Sequence, residues 1–165
     1  MRITKTLWAT AYHEAGHAII ALANKIAVYS VSIKPEGTTL GQALIRNVLA
    51  GRVVDCDIST QNRLRMERYS KALLAGPIAE RKFVKSDGGR YRCKGGSDHA
   101  TLINYVSYFC GSDAMLDAYI KLLYEMATLE VNAHHNWNRI ENLAGILIER
   151  EEIKKRTDPQ LFLLG

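Results

Sequence analysis

Cysteine is scarce in this sequence, and its few copies are poorly placed for cross-linking. The 165 residues include three cysteines, Cys56, Cys93 and Cys110, which are odd in number and far apart. This distribution predicts neither a disulfide framework nor a zinc site built from thiolates. A reducing environment suits such a chain, so the expected localisation is cytoplasmic.

No uninterrupted apolar run approaches the roughly 18 residues that a membrane-spanning helix needs. The apolar stretch near the N-terminus is interrupted by His13, Glu14 and His17, which also excludes a secretory signal peptide. We therefore expect no membrane segment in this chain. The share of apolar residues, 47%, is typical of a globular protein. The length fits a single domain over residues 1–165.

The charge balance is mildly basic, but no nucleic-acid-binding motif accompanies it. Lysine and arginine outnumber aspartate and glutamate by 22 to 17, and part of the excess lies in GGRYRCKGG, residues 88–96. A basic surplus can favour nucleic acid or acidic partners. Here the surrounding glycines predict a solvated loop over residues 84–97 instead. No nucleic-acid partner is expected.

The hydrophobic periodicity predicts a mainly α protein of the α+β class, in which a small early sheet precedes a helical bundle. A first helix is expected over about residues 6–24, with Thr6 as its N-cap. The segment VYSVSIKPEGTTLGQALI predicts strand, turn and strand, and residues 51–57 are a candidate third strand, so the sheet covers about residues 28–54. Pro77 should kink or divide the second helix. The four later helices are expected over about residues 59–83, 98–110, 113–134 and 137–155.

The stretch TAYHEAGHAII, residues 10–20, carries an H-E-x-x-H motif on the first helix. His13 and His17 are four residues apart, so both project from one helix face, with Cβ atoms roughly 5–6 Å apart. Their ring nitrogens can then bind one zinc ion. Glu14 lies beside the metal rather than on it, where it can take a proton from a water that zinc activates. Gly16 disfavours a helix by about 1 kcal/mol relative to alanine, which indicates the close approach of another backbone.

A catalytic zinc site usually has three protein ligands, so the third must come from elsewhere in the chain. The metzincin pattern is excluded, since Ile20 and Ala23 stand where it requires glycine and histidine. Seven downstream residues have suitable side chains: Glu36, Glu67, Glu80, Asp98, His99, His134 and His135. The residues by themselves leave the choice open between Asp98 and Glu80.

Three further motifs follow the H-E-x-x-H stretch in order. VSIKPEGTTLGQALI forms a strand–turn–strand pattern, LLAGPIAERKF contains a Gly-x-x-Ala-Glu core at Gly76, Ala79 and Glu80, and GGSDHATLINYV contains Asp98. Together the four motifs resemble the peptidase domain of the FtsH-type zinc metalloproteases, peptidase family M41, without its ATPase domain. The resemblance covers nearly the whole chain.

This resemblance implies a zinc cofactor held by His13, His17 and Asp98. It implies that Glu14 is the general base. It also implies that the Glu80 carboxylate does not bind the metal itself but holds a ligand histidine in the tautomer that metal binding requires.

The chain departs from the family pattern at several positions. Pro77 replaces a residue that is usually basic, and Arg81 replaces a second glutamate. The spacing after Asp98 differs, which leaves His99 as a reserve ligand. The ATPase motif G-x-x-x-x-G-K-[ST] and a membrane anchor are absent from the sequence. We expect either an excised domain or a stand-alone relative, and the position of Met1 favours the latter.

The activity that the resemblance implies is that of a zinc-dependent metalloendopeptidase acting on flexible or unfolded polypeptides. An extended substrate is expected to pair with an edge strand at Leu40, Gly41, Gln42, Ala43 and Leu44. The expected partners of such a peptidase are a separate ATPase or unfoldase, or further copies of the chain itself. Two alternatives stay open: a non-catalytic zinc-containing adaptor or regulatory module of the same fold, and a zinc hydrolase of a non-peptide amide. A structural zinc site needs no general base, so Glu14 argues against the non-catalytic module.

Overall fold

The computed structural model describes residues 4–37, 40–51, 58–85 and 97–159. Over these ranges the chain forms α1 (Lys5–Ala23), β1 (Val28–Ser32), β2 (Gln42–Ile45), α2 (Thr60–Val84), α3 (Ser97–Ser107), α4 (Asp113–Asn132), α5 (His134–Arg150) and β3 (Glu152–Lys154). The predicted mainly α architecture with a small sheet is confirmed. Most of the expected loop at 84–97 and of the candidate strand at 51–57 lies outside the described residues.

Helix α1 is the central element of the fold, and it contacts α2, α5, β1 and β2. Its cap is Thr4, whose Oγ1 accepts a hydrogen bond from the N–H of Leu7 at 3.2 Å, so the predicted cap at Thr6 is wrong. Between Ala11 and Ala21 every residue except His13 is buried. Polar side chains on this part of α1 must therefore find their partners inside the protein.

Helix α2 packs along α1 and supplies much of the surface that buries it. Ser59 caps its N-terminus by accepting a hydrogen bond from the N–H of Asn62 at 3.4 Å. The helix continues through Pro77 to Val84, so of the predicted kink or division at Pro77 the division is wrong. Residues on both sides of the proline, including Ala75 and Ile78, are buried, and this tertiary packing overrides the local preference for a break.

The sheet has the strand order β2-β1-β3 and is antiparallel throughout. The central strand β1 pairs Val31 with Ala43 of β2 on one side and with Ile153 of β3 on the other. Val31 and Ile153 are buried, so the sheet presents one face to the helices. Among the described residues β2 pairs with β1 alone, which makes it an edge strand.

Strand β3 corrects the predicted last helix over residues 137–155. Helix α5 ends at Arg150, because Glu151 adopts a left-handed conformation with φ 61°. The chain then turns back and pairs with β1. The charged run after residue 148 has a helix-like composition, but burial of Ile153 against β1 decides its conformation.

The other helix boundaries differ from the prediction by a few residues. Helix α3 ends at Ser107 rather than at residue 110. Helices α4 and α5 are separated by Ala133 alone, since α4 ends at Asn132 and α5 begins at His134. Such shifts at helix termini are expected from sequence patterns, which locate helix ends less sharply than helix centres.

The apolar core is one cluster to which all parts of the described chain contribute. Its fully buried members include Ile20, Leu74, Leu123, Leu147 and Ile153. Within the described ranges, none of the helices combines the length and the apolar character needed to cross a bilayer.

Candidate metal centre

Three side chains with metal-binding atoms meet where α1 and α3 converge. His13 and His17 come from α1, and Asp98 comes from the first turn of α3. One ligand atom from each lies within 4.8 Å of the other two. His17 Nε2 and Asp98 Oδ2 are 3.3 Å apart. In the part of the chain that the structure describes, this is the only group of three such residues close enough to share an ion.

The orientation of His17 is set by the backbone of α2. Its Nδ1 lies 2.8 Å from the carbonyl oxygen of Ala72. A carbonyl oxygen only accepts hydrogen bonds, so Nδ1 carries a proton and donates it to Ala72. The other ring nitrogen, Nε2, is thereby left facing Asp98. Because the His17 residue is 5% exposed, this arrangement has little freedom to change.

The orientation of His13 is set by Glu80, which also lies on α2. His13 Nδ1 and Glu80 Oε2 are 2.8 Å apart, and the carboxylate accepts the hydrogen bond. This contact leaves Nε2 of His13 as the nitrogen that can join the cluster with His17 and Asp98. Glu80 thus lies behind a histidine rather than among the three clustered groups.

Two glycines allow α1 and α2 to approach closely at this site. A methyl group on Gly16 would lie 2.7 Å from the carbonyl oxygen of Ala75 and 2.8 Å from Cβ of Ala79. A methyl group on Gly76 would lie 2.3 Å from Nε2 of His17. All three distances are shorter than a carbon atom tolerates without displacement of its neighbours. Gly16 is a poor helix former inside the H-E-x-x-H motif, and its presence is therefore explained by the close contact between the backbones of α1 and α2.

Glu14 is buried beside the cluster, with 7% of its surface exposed. Burial raises the pKa of its carboxyl group, because the charged form is poorly solvated. The charges of His17 and His13 lower that pKa, the charge of Asp98 raises it, and the backbone N–H of Ala43 lowers it by donating a hydrogen bond. The net effect is a raised pKa, which favours a group that can both accept and release a proton.

His17 and Asp98 stabilise each other's charged form. Burial lowers the pKa of His17, but the hydrogen bond and charge of Asp98, helped by Glu14 and Ala72, outweigh burial and raise it. Burial raises the pKa of Asp98, yet the bond and charge of His17, with the charge of His13, hold it below its ordinary value. The site therefore places the Asp98 carboxylate beside a proton held on His17, and a metal cation could replace that proton.

The edge strand β2 runs beside Glu14. A methyl group on Gly41 would lie 3.0 Å from Cγ of Glu14, 2.9 Å from Cγ2 of Thr10 and 2.8 Å from the carbonyl oxygen of Ser32. Gly41 therefore permits close contact between this segment and α1. The N–H of Ala43 reaches the Glu14 carboxylate, so it points away from β1. Leu40, Gln42 and Leu44, the other predicted substrate-binding residues, are exposed.

The donor set fits a zinc ion. Zinc binds imidazole nitrogen and carboxylate oxygen at about 2.0–2.2 Å in a tetrahedral arrangement, which puts two ligand atoms about 3.3 Å apart. The spacing of 3.3 Å between His17 Nε2 and Asp98 Oδ2 corresponds to that span. Three protein ligands would leave a fourth position for water or substrate, as catalytic zinc sites do.

The other residues considered as a third ligand are not part of the cluster. Glu67 accepts a hydrogen bond from the Tyr119 hydroxyl at 2.5 Å. Of the described residues, only His13, His17 and Asp98 place their ligand atoms together, which separates Asp98 from its neighbour His99. Glu36, His134 and His135 also lie outside this group.

Sequence reasoning missed the contacts of Ala72 and Gly76 with His17. A backbone carbonyl acting as an acceptor leaves no signal in a sequence. Gly76 belongs to a recognisable motif, but its role as the residue that makes room for the His17 ring appears only when α1 and α2 are packed together.

Comparison with known proteins gives a partial similarity. No protein-family model matches the chain. A stretch of 73 residues, 43% of the chain, is 36% identical to the ATP-dependent zinc metalloprotease FtsH of Rickettsia typhi. The FtsH proteins of Rickettsia conorii and Rickettsia prowazekii match to the same extent. The matched part is 10% of each of these proteins. The similarity indicates a distant relationship to FtsH.

Proposed function

We propose that this chain is a zinc-dependent metallopeptidase related to the peptidase domain of FtsH. The observation that carries the proposal is the convergence of His13, His17 and Asp98, with Glu14 buried beside them. The similarity to proteins named as zinc metalloproteases supports the same reading. His13, His17 and Asp98 would hold the ion, and Glu80 and Ala72 would hold the two histidines in the required orientation.

A zinc ion bound there would polarise a scissile carbonyl and lower the pKa of a water molecule. The chain's own contribution is Glu14. Its carboxylate would accept the proton of the attacking water and later deliver it to the leaving amine. The raised pKa of Glu14 supports this double role, because a base whose pKa lies closer to neutrality both holds and returns a proton readily.

The substrate we propose is an extended polypeptide segment that pairs with β2. Backbone groups along a strand alternate between its two edges. Since the Ala43 N–H points to Glu14, the backbone of Ala43 faces the edge opposite β1. A peptide added at this edge would lie beside the base and the candidate metal ligands. A flexible or unfolded segment has its backbone groups free for such pairing.

The decisive experiment measures zinc content and cleavage of an unfolded protein such as casein in the same samples. Three proteins are compared: the unchanged chain, Glu14→Gln, and Glu125→Gln as a control on the exposed surface of α4. We expect about one zinc per chain in all three. Turnover should fall roughly 10²–10⁴-fold in Glu14→Gln and stay unchanged in Glu125→Gln.

The same experiment separates the alternatives. One zinc per chain with no cleavage in any of the three proteins would favour a non-catalytic zinc module. Zinc with Glu14-dependent cleavage of a small amide, but not of casein, would favour a hydrolase of non-peptide amides. Absence of bound zinc would contradict the metal centre itself.

A further inference from the structure

A cavity of about 290 Å³ lies where the end of α1, the end of β2 and the first half of α2 meet. Four cationic side chains line it: Lys25, Arg46, Arg65 and Arg68. Ile26 and Val48 supply an apolar wall. Three separate chain segments thus bring positive charge to one partly open cavity.

Among the described residues, no carboxylate forms an ion pair with the cations of this cavity, Lys25, Arg46, Arg65 and Arg68. The hydrogen bond that Arg65 makes, at 2.8 Å, goes to the neutral side-chain oxygen of Asn62. Four like charges around one cavity repel each other, so an anion bound among them would be stabilised.

Glu130, an acidic residue next to the cavity, is already engaged by other partners. Glu130 accepts a hydrogen bond from the side chain of Asn24, which lines the cavity, at 2.7 Å. Its other carboxylate oxygen is paired with Lys71 Nζ at 2.5 Å. The negative charge of Glu130 is therefore matched by Lys71, so Glu130 does not neutralise the four cavity cations.

The backbone at Lys25 adds a second observation. Lys25 follows the end of α1 with φ 60°, a left-handed conformation that glycine adopts far more readily than lysine. The same left-handed conformation ends α2 at Lys85 and α5 at Glu151, so at Lys25 it marks the end of α1. It places a cationic residue in the lining of the cavity.

We propose that this cavity binds a compact anion bearing phosphate groups. Guanidinium groups bind phosphate oxygens through two parallel hydrogen bonds, and three arginines line this cavity. The volume is at the lower limit of pockets for drug-sized ligands, about 300–1,000 Å³, which suits one or two phosphate groups. Nucleic acid is less suitable, because its phosphates require cations spread along a surface rather than gathered in one cavity.

The proposed ligand carries a diphosphate group, which could belong either to free pyrophosphate or to a nucleotide. The test is calorimetric titration of the full chain with pyrophosphate at 0.15 M salt, where general charge attraction is screened within roughly 8 Å. The double variant Arg46→Gln/Arg68→Gln removes two exposed cations of the cavity. Its matched control, Lys5→Gln/Lys121→Gln, removes two exposed cations elsewhere and changes the net charge equally.

We expect one pyrophosphate per chain, with affinity at least tenfold weaker in Arg46→Gln/Arg68→Gln and within twofold of the unchanged chain in the control. Equal weakening in both variants, or no saturable binding by the unchanged chain, would overturn the proposal. Pyrophosphate can also bind zinc, so Asp98→Asn is titrated in parallel. Loss of pyrophosphate binding in Asp98→Asn but not in the arginine variant would place the anion at the candidate metal centre and refute the cavity site.

Titration with ADP distinguishes the two sources of diphosphate. Equal affinities for ADP and pyrophosphate would support recognition of the phosphates alone. Tenfold tighter binding of ADP, still dependent on Arg46 and Arg68, would support a nucleotide as ligand. Tight binding of a single-stranded RNA oligonucleotide that pyrophosphate cannot displace would assign the basic surface to nucleic acid and overturn the proposal.

Discussion

Gly76 of α2 lies directly against the imidazole ring of His17 on α1. A methyl group at position 76 would be 2.3 Å from Nε2 and 2.6 Å from Cε1 of His17. The same ring is fixed on its other side by the bond from Nδ1 to the carbonyl oxygen of Ala72. The position of the nitrogen proposed to bind zinc is therefore determined by two residues of α2, neither of which has a functional side chain.

Replacing Gly76 with alanine should weaken metal binding and lower stability together. The new methyl group must displace the His17 ring, and overpacking of this kind destabilises proteins by about 1–3 kcal/mol. For a chain of this size, that corresponds to a fall in Tm of roughly 2–12 °C. Zinc titration and thermal unfolding check the prediction. The control is Gly145→Ala on α5, where nothing lies within 4 Å of the added methyl, so Tm should be unchanged or higher.

Replacing Asp98 with asparagine should abolish or greatly weaken zinc binding while the fold is retained. The Asp98 side chain is 44% exposed, so its loss leaves no cavity in the core. Only His13 and His17 would remain as ligands. Zinc stoichiometry after dialysis and circular dichroism test this expectation. Full zinc affinity in Asp98→Asn, with loss of the metal in His99→Ala, would show that the third ligand is His99.

Replacing Glu80 with glutamine should weaken zinc binding by about 10–100-fold, less than loss of a ligand does. Glutamine can still accept a hydrogen bond from His13 Nδ1, but it no longer supplies the negative charge that makes the ring a better ligand. Competition with a zinc chelator measures the change. Glu125→Gln on α4 is the control and should bind zinc as tightly as the unchanged chain.

Zinc affinity should rise with pH through the range above 6.5. Asp98 raises the pKa of His17 despite burial, so in the metal-free protein His17 keeps its proton above the ordinary value and zinc must displace it. Below the raised pKa, affinity should fall by about tenfold per pH unit for one displaced proton. The pKa of Asp98 itself is lowered, so its carboxylate stays ionised over this range.

Removing the charge of Asp98 tests the cause of this pH dependence. In Asp98→Asn the carboxylate that raises the pKa of His17 is gone, while burial still lowers it. Nuclear magnetic resonance of the metal-free variant should therefore show His17 titrating at lower pH than in the unchanged chain. An unchanged or higher titration midpoint would contradict the proposed coupling between the two residues.

Replacing Ala43 with proline should raise KM for an extended peptide more than it alters zinc content. Ala43 lies on the edge strand, and its N–H points to Glu14 rather than to β1, so proline removes that donor without breaking the sheet. Because Glu14 loses a hydrogen bond in this variant, kcat should change as well as KM. Ala43→Val keeps the N–H and is the matched control. Steady-state kinetics beside zinc analysis measures both effects. Equal KM values for the two variants would argue against peptide pairing at this edge.

The sequence by itself determined the central helix and the placement of two histidines on one of its faces. The interval of four residues between His13 and His17 has this consequence in any α-helix, because one turn takes 3.6 residues. The strong periodicity of the other helices likewise predicted the mainly α class. The turn signals before Leu40 predicted that β2 follows β1 as a hairpin partner.

Only the tertiary structure decided which carboxylate meets which histidine. From composition, Asp98 and Glu80 were equivalent carboxylates. In the folded chain Asp98 meets Nε2 of His17, whereas Glu80 meets Nδ1 of His13, because α3 and α2 approach the two rings from different sides. Contacts across such sequence distances depend on how helices pack, which local patterns do not encode.

The same physical reason explains the errors in secondary structure. Residues 152–154 have a charged, helix-like composition, yet Ile153 gains more by burial beside Val31 of β1 than the segment gains from one more helical turn. Pro77 opposes helix continuation locally, yet the packing of its neighbours against α1 keeps α2 whole. In both places burial of apolar surface by distant partners outweighs a local preference of about 1–3 kcal/mol, and those partners are known only once the chain has folded.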